Sequence, residues 1–378
     1  MEFYRKTPGY LQPSFFPGLD TVKVTSLKIY RYSLPFKSPV LIHGRNQLRL
    51  REGIILFLTL DNQWQGFGEI APLKGFDDRE IEAYVKNLKE FKKSFTLQEL
   101  PDESNELFKM IDSFQLIPEV RFGVEAVVYN AIALKLQKPL SYLWATSPSS
   151  AIMVNGLLQE EEPLKEAVND LLLKGFQSIK VKAGGKVKED ITRVNEVLAL
   201  VNNRARIHLD VNQRWSYDDA LYFASAIEPK QIEYIEEPFK EVEKIPEFFH
   251  KTGITVALDE SLLSEGDKVV KIREGVKAWV LKPTLLGGIR KTLAMADEAK
   301  KSGIQIVVSS LFESGIGLFS LIHLTAAIGG NCRAGIDTLK YFEKDLLKEP
   351  CVAQEGKMTA RLKPLSEGDI RFESLNQV

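Results

Sequence analysis

Cysteine is nearly absent from this chain: 378 residues contain only Cys332 and Cys351. Neither stands in a CxxC or a Cys/His metal spacing, which excludes a disulfide framework and a zinc ribbon and makes a reducing cytoplasm the expected setting. Histidine is scarce too, with four residues. His43, His250 and His323 have no partner pattern and read as structural. An excess of charge of one sign is missing too, since 50 Lys and Arg face 51 Asp and Glu. Nucleic acid and an anionic membrane are therefore not expected as partners. The small basic cluster from Lys86 to Lys93 reads as a solvated helix face. No apolar run approaches the ~20 residues that a membrane helix needs. Residues 1–19 carry charges, three prolines and two glycines instead of an apolar core, so no signal peptide is expected there.

What is present is length and alternation. A chain of this size fits one large domain and a smaller one. Up to about residue 149 strands and helices are mixed. Val22–Leu34 and Gly53–Leu60 read as strands, the second ending at the turn-like pair Asp61-Asn62. Helical periodicity covers Asp78–Phe95 and Glu119–Leu136. From about residue 150 short β-rich runs recur every 22 to 29 residues, beginning near Ile152, Ser178, Ile207, Glu233, Thr255, Lys277, Gln305 and Cys332. Stretches of helical period separate them. Eight strands alternating with helices predict a parallel sheet closed into a barrel. The last strand is followed by a mixed tail, residues 338–378, expected to pack back on the first domain. The predicted fold class is thus α/β: a (β/α)7β TIM-like barrel over residues 150–337, with an α+β capping domain built from residues 1–149 and the tail.

Five consecutive barrel strands end in charge: Lys180-Val181-Lys182, Asp210-Val211-Asn212, Glu236-Glu237-Pro238, Asp259-Glu260 and Lys282-Pro283. Barrel enzymes work at the carboxyl ends of their strands. Lys180 and Lys182 share a face by the two-residue period of a strand, as do Asp210 and Asn212. Asp210, Glu236 and Asp259 end successive strands and can converge. One carboxylate in such a place often caps the next helix; three in a row, flanked by strands ending in lysine, point to a site. Hard oxygen donors without Cys or His favour Mg²⁺, with Mn²⁺ as a substitute. Lys182 and Lys282 should then face each other across the metal. Lys182, beside Lys180, is the candidate general base for a carbon next to a carboxylate, with the metal stabilising an enediolate. The alternative is that the lysines are ion-paired for structure, a poor source of net stability.

These motifs together resemble the enolase superfamily, whose Lys or His bases and Mg²⁺-stabilised enediolates they match, and within it the muconate-lactonizing-enzyme subgroup. The likeness is greatest to the o-succinylbenzoate synthase family. It is carried by Gly66-Phe67-Gly68-Glu69-Ile70-Ala71-Pro72-Leu73-Lys74-Gly75-Phe76, Asn155-Gly156-Leu157-Leu158, Ser309-Ser310-Leu311-Phe312-Glu313-Ser314 and Gly335-Ile336-Asp337-Thr338. The resemblance implies Mg²⁺ on Asp210, Glu236 and Asp259, with Lys182 removing the α proton and returning it to a departing hydroxyl. It also implies Lys282 as the charge opposite, Lys180 tuning its neighbour, and Asn212 and Glu260 supporting the ligands. Ser309, Ser310 and Gly335 are candidate contacts for a small-molecule carboxylate substrate. The seventh strand lacks the histidine of mandelate-racemase-like members. The eighth lacks the Asp-x-Asp of dipeptide epimerases, having Gly335 and Asp337. N-succinylamino acid racemisation, which would use the same two lysines, stays open as a second reading, and a non-catalytic barrel as a third. Oligomeric state is not legible.

His208 is expected to be a hydrogen-bonded interior histidine. Ala183-Gly184-Gly185-Lys186 lacks phosphate-loop spacing and reads as a plain loop. Leu286-Gly287-Gly288 would permit close backbone approach to a ligand; Arg45, Arg49 and Arg51 are each either a contact for a succinyl carboxylate or solvent-exposed, and none is named as a site residue.

Overall fold

A computed structural model describes residues 21–42, 46–159, 163–264, 270–330 and 332–378. Residues 1–19, His43 and Arg45 lie outside the described residues. The chain opens with an antiparallel sheet of β1 (Val22–Ile42), β2 (Asn46–Leu60) and β3 (Trp64–Ile70). Buried and open positions broadly alternate along β1, as a strand with one covered face requires. The three-residue β2–β3 turn places Asp61 and Asn62 at φ 51° and 58°, left-handed values that suit the twist of a tight hairpin. β1 and β2 run past the sequence-predicted limits because their pairing skips between Pro35 and Val40, an irregularity that accommodates the prolines.

Helix α1 (Ile81–Phe95) follows, then the two-residue strand β4 (Glu99–Leu100), α2 (Ser104–Asp112) and α3 (Pro118–Leu136). α1 buries Tyr84, Val85, Leu88, Phe91 and Phe95, one stripe of a 3.6-residue period. α3 is different. It is buried on nearly every side, because it lies between the antiparallel sheet and the barrel helices.

The barrel comprises β5 (Ala151–Val154) and β6 (Gly156–Leu158), which are one strand interrupted at Asn155, then α4 (Leu164–Leu173) and β7 (Ser178–Lys182). It continues through α5 (Val187–Val201), β8 (Arg206–Asp210), α6 (Tyr217–Ser225), β9 (Ile232–Glu236), α7 (Ile245–Thr252), β10 (Val256–Leu258) and the short α8 (Glu260–Ser264). β11 (Val276–Leu281), α9 (Pro283–Leu286), α10 (Ile289–Lys301), β12 (Gln305–Ser309), α11 (Gly315–Ile328) and β13 (Arg333–Gly335) complete it. All neighbours in this series are parallel. β13 pairs with β5 and β6 with β7, which closes the cylinder. Each strand begins within one residue of its sequence-predicted start. No helix of eight residues or more follows β13 among the described residues.

The tail returns to both halves. β14 (Lys357–Thr359) pairs with β5, and β15 (Leu375–Gln377) pairs with β1. The architecture is the (β/α)7β barrel with a capping unit formed from both ends of the chain. No described helix is long and apolar enough to cross a membrane.

Candidate active site

The register of the barrel sets the polar residues side by side. Lys182 is the Cα partner of Asp210, and Asp210 of Glu236. Asp259 follows directly on β10, and Lys282 directly on β11. In the cyclic strand order β7 and β11 are four steps apart of eight, so Lys182 and Lys282 stand on opposite walls. Lys180, Lys182, Asp210, Asn212 and Lys282 line one cavity at the carboxyl ends of the strands. Asn155, Ser309, Ser310, Gly335 and Thr338 line its other side. Leu41, Ile42, Leu73 and Phe76 of the capping unit close it from above.

Inside, lysines and carboxylates interleave. Lys180 Nζ donates to both oxygens of Glu236 at 2.8 Å and lies 2.7 Å from Asp210 Oδ2. Lys182 donates to Asp210 Oδ2 at 2.6 Å and Asn212 Oδ1 at 2.9 Å. Lys282 donates to Asp259 Oδ2 and lies over the Phe76 ring, 4.5 Å from its centroid. Burial works against the Lys180 ammonium, yet Asp210 and Glu236 outweigh it and hold its pKa well above the usual lysine range. Burial likewise opposes charge on Lys282, and Asp259 and Glu260 overcome it. Asp210 is pushed up by burial but held well below the ordinary carboxylate range by Lys180 and Lys182. Burial and the neighbouring Asp210 push Glu236 up. The most open of the three lysine side chains is Lys182, 22% exposed against 14% for Lys180 and 8% for Lys282.

Among the described residues no three acidic, His or Cys side chains form a ready metal cage. Ammonium groups hold the carboxylates instead. The donor set nevertheless fits a hard divalent cation. Its donors are all oxygen. Asp210 Oδ1 is buried with no hydrogen-bond partner. The Lys180 ammonium also shows that a positive charge is held between Asp210 and Glu236.

Asn212 accepts from Lys182 and donates to Glu260 Oε1 at 2.8 Å, linking the loops after β8 and β10. Burial and the adjacent Asp259 push the Glu260 carboxyl up to about 7. Ser310 Oγ lies 3.0 Å from Thr338 Oγ1, and a Cβ on Gly335 would come 3.1 Å from Ser309 Oγ, a tight contact. His208 is buried, hydrogen-bonded to Ser178 and edge-on to Tyr234, as an interior histidine.

Two sequence expectations are corrected. Arg51 does not face the cavity; its guanidinium donates to the carbonyls of Glu52, Ala71, Pro72 and Phe312, tying capping strands to the loop after β12. Arg49 is exposed. The Gly287-Gly288 pair admits a side chain of the chain itself: Glu125 of α3 sits where a Gly288 Cβ would be and accepts from the amides of Ile289 and Arg290. Sequence reasoning did not name Asn155, Thr338 or Phe76 as site residues. All three stand in the motifs that carry the family resemblance, but only the closed barrel shows that they face the cavity.

A parallel barrel whose strand ends set three successive carboxylates between lysines, under an α+β cap, defines a class, and comparison with known proteins names it. Residues 163–364 match the family profile "Enolase C-terminal domain-like" and residues 24–130 match "MenC, N-terminal domain". The chain belongs to the enolase superfamily. Within it the chain belongs to the o-succinylbenzoate synthase family: it is 31% identical to o-succinylbenzoate synthase of Aliivibrio salmonicida over 84% of this chain and 92% of that one. The Yersinia enterocolitica o-succinylbenzoate synthase is 29% identical over 92% of this chain and 98% of its own. Among solved structures, N-succinyl Arg/Lys racemase from Bacillus cereus superposes with a TM-score of 0.81 at 21% identity, covering 94% of this chain and 100% of that one. A muconate lactonizing enzyme from Pseudomonas fluorescens, complexed with muconolactone, gives 0.78 at 20% identity over 91% and 96%. At these identities the structures establish the fold alone.

Proposed function

We propose that this protein is an o-succinylbenzoate synthase, a hydro-lyase that dehydrates 2-succinyl-6-hydroxy-2,4-cyclohexadiene-1-carboxylate to 2-succinylbenzoate in menaquinone biosynthesis. The observation that carries the reading is the pair of lysines on opposite walls of one cavity, with acidic strand ends between them. Asp210, Glu236 and Asp259 would hold a divalent cation, Mg²⁺ with Mn²⁺ as substitute. When bound, that ion supplies positive charge at the substrate carboxylate as its α carbon loses a proton.

The chain's residues do the rest. Lys182, the most open of the three, takes the proton from the carbon bearing the ring carboxylate. The freed electron pair passes first into an enediolate and then into the new ring double bond as the C–O bond at the neighbouring carbon breaks. Lys182 returns its proton to the departing hydroxyl on the same face, releasing water. Lys282, on the far wall, stabilises the enediolate by charge. Lys180 ties Asp210 to Glu236 and raises the positive potential beside Lys182. Asn212 and Glu260 orient the lysine and the Asp259 loop. Ser309, Ser310 and the open backbone at Gly335 face the remainder of the substrate, and the apolar cap residues exclude water.

The test is loss of the cyclohexadiene absorbance by purified protein with Mg²⁺, with 2-succinylbenzoate identified by mass. Lys182→Ala should lower kcat by at least ~10³-fold, the upper range for removing a positioned acid–base group. Absence of turnover in the native protein, or near-native turnover in Lys182→Ala, would end the proposal.

A further inference from the structure

Glu236 ends β9 and Glu237 follows it, and the two have different tasks. Glu236 joins the lysines of the cavity, whereas Glu237 turns sideways into the loop after β10. Glu237 is 1% exposed. Its Oε1 accepts from the amides of Asp259 at 2.7 Å and Ser261 at 2.8 Å. Its Oε2 accepts from Ser261 Oγ at 2.7 Å and Gln213 Nε2 at 2.8 Å. One buried carboxylate thus gathers four donors from the loops that follow β8 and β10.

The backbone is strained to permit this. Asn212, Gln213 and Glu237 adopt φ of 49°, 59° and 43°, a left-handed conformation that costs any residue but glycine. Such strain persists only where surrounding bonds over-determine it. Here Gln213 N donates to Glu237 O at 2.7 Å and Glu237 N to Ala257 O at 3.0 Å, so the main chain also laces the loop after β8 to that after β9, and the latter to β10. The Asp259 side chain emerges between two pinned amides, its own and that of Ser261.

We propose that Glu237 is a positioning residue that fixes the direction in which Asp259 presents its carboxylate to the divalent cation. The inference rests on the metal-binding reading above. A carboxylate is needed because all four partners donate. Glu237→Gln keeps one oxygen for the two amides, but puts an NH₂ against Ser261 Oγ and Gln213 Nε2. The belt then loosens on the Gln213 side without a change of volume.

The experiment is Mn²⁺ affinity measured by electron paramagnetic resonance on the full chain, alongside thermal unfolding and steady-state kinetics. Glu237→Gln should bind Mn²⁺ about 10- to 100-fold more weakly, the usual loss for a residue that orients a ligand. Its activity should recover at raised Mn²⁺ concentration. Ser261→Ala removes one of the four donors with little risk to folding and should show a few-fold loss. A folded Glu237→Gln with native Mn²⁺ affinity overturns the proposal, whatever its melting temperature. If Glu237→Gln does not fold, native affinity in Ser261→Ala overturns it. Failure of the native chain to bind Mn²⁺ is a separate outcome: it removes the metal-binding reading and the inference with it.

Discussion

At the scale of single residues the site is a balance of one buried and two half-buried ammonium groups against three buried carboxylates, and Lys282 tests that balance most directly. It is 7% exposed and is the ammonium that holds Asp259, itself 2% exposed. Removing one member of a buried pair leaves the other charge without compensation, a cost of about 3–5 kcal/mol. Lys282→Met, of similar length, should therefore lower the melting temperature strongly in EDTA. Saturating Mg²⁺ should close most of that gap, because the cation takes over the charge of Asp259. Equal destabilisation with and without Mg²⁺, measured by thermal unfolding, would place Asp259 outside the metal site. The residues at this scale were legible where period alone places them: Lys182 and Asp210 end strands, and Asp259 and Lys282 directly follow them. Glu237 was not, because in the sequence it is indistinguishable from Glu236. Only the left-handed turn at its α carbon sends the two side chains to different partners. Arg51 was misread for a related reason. A cation near a cavity suggests a ligand, but four carbonyls had already claimed it.

At the scale of elements, the contact that carries the cap is β3 against α3. A Cβ on Gly66 would meet the backbone of Val127 and Ala131, and one on Gly68 would meet the Gly123 carbonyl. Two glycines on one face of the strand thus let helix and sheet touch backbone to backbone. Glu69, between them and the barrel, accepts from Tyr32 and from the amides of Ser314 and Gly317 at the start of α11. Gly68→Ala should cost at least the ~1–3 kcal/mol of overpacking, because the obstacle is main chain and cannot rotate away. Gly368→Ala, where the nearest atom would be 3.6 Å off, should change unfolding by less than ~0.5 kcal/mol. Comparable effects of the two in denaturant melts would contradict this account of the interface. The Gly66-Phe67-Gly68-Glu69 motif was visible in the sequence as a family likeness, but its physical reason was not. α3 was found by helical periodicity, while its burial on all sides could be seen only once the second layer was in place.

At the scale of the whole molecule, several carboxyls are buried away from the catalytic centre, and they give the fold a pH dependence of definite sign. Burial pushes Glu125, Glu119 and Glu313 up to about 7, and Asp345 up to about 6. Each has a folded pKa above its unfolded value, so the folded chain binds more protons between the two. The stability each contributes is complete below pH ~4 and is lost as pH rises through 6 to 7, at up to about 1.4 kcal/mol per pH unit per group. His323 acts in the opposite sense. Burial lowers it to about 3, so folding loses its proton, but only below the ordinary histidine value. Above pH ~6.5 the carboxyls are left unopposed. In EDTA, which removes metal linkage, the melting temperature should fall from pH 6 to 8 and level off above that. Glu125 isolates the effect, since one of its oxygens, Oε2, accepts from both Ile289 and Arg290 amides. A carboxamide oxygen can serve the same two donors without charge. Glu125→Gln should therefore raise the melting temperature at pH 8, and by a clearly smaller amount at pH 5.5, where only part of the pH-dependent loss has accrued. A loss at pH 8 larger than at pH 5.5 would show that the attraction to Arg121, 3.9 Å away, outweighs the burial of the charge.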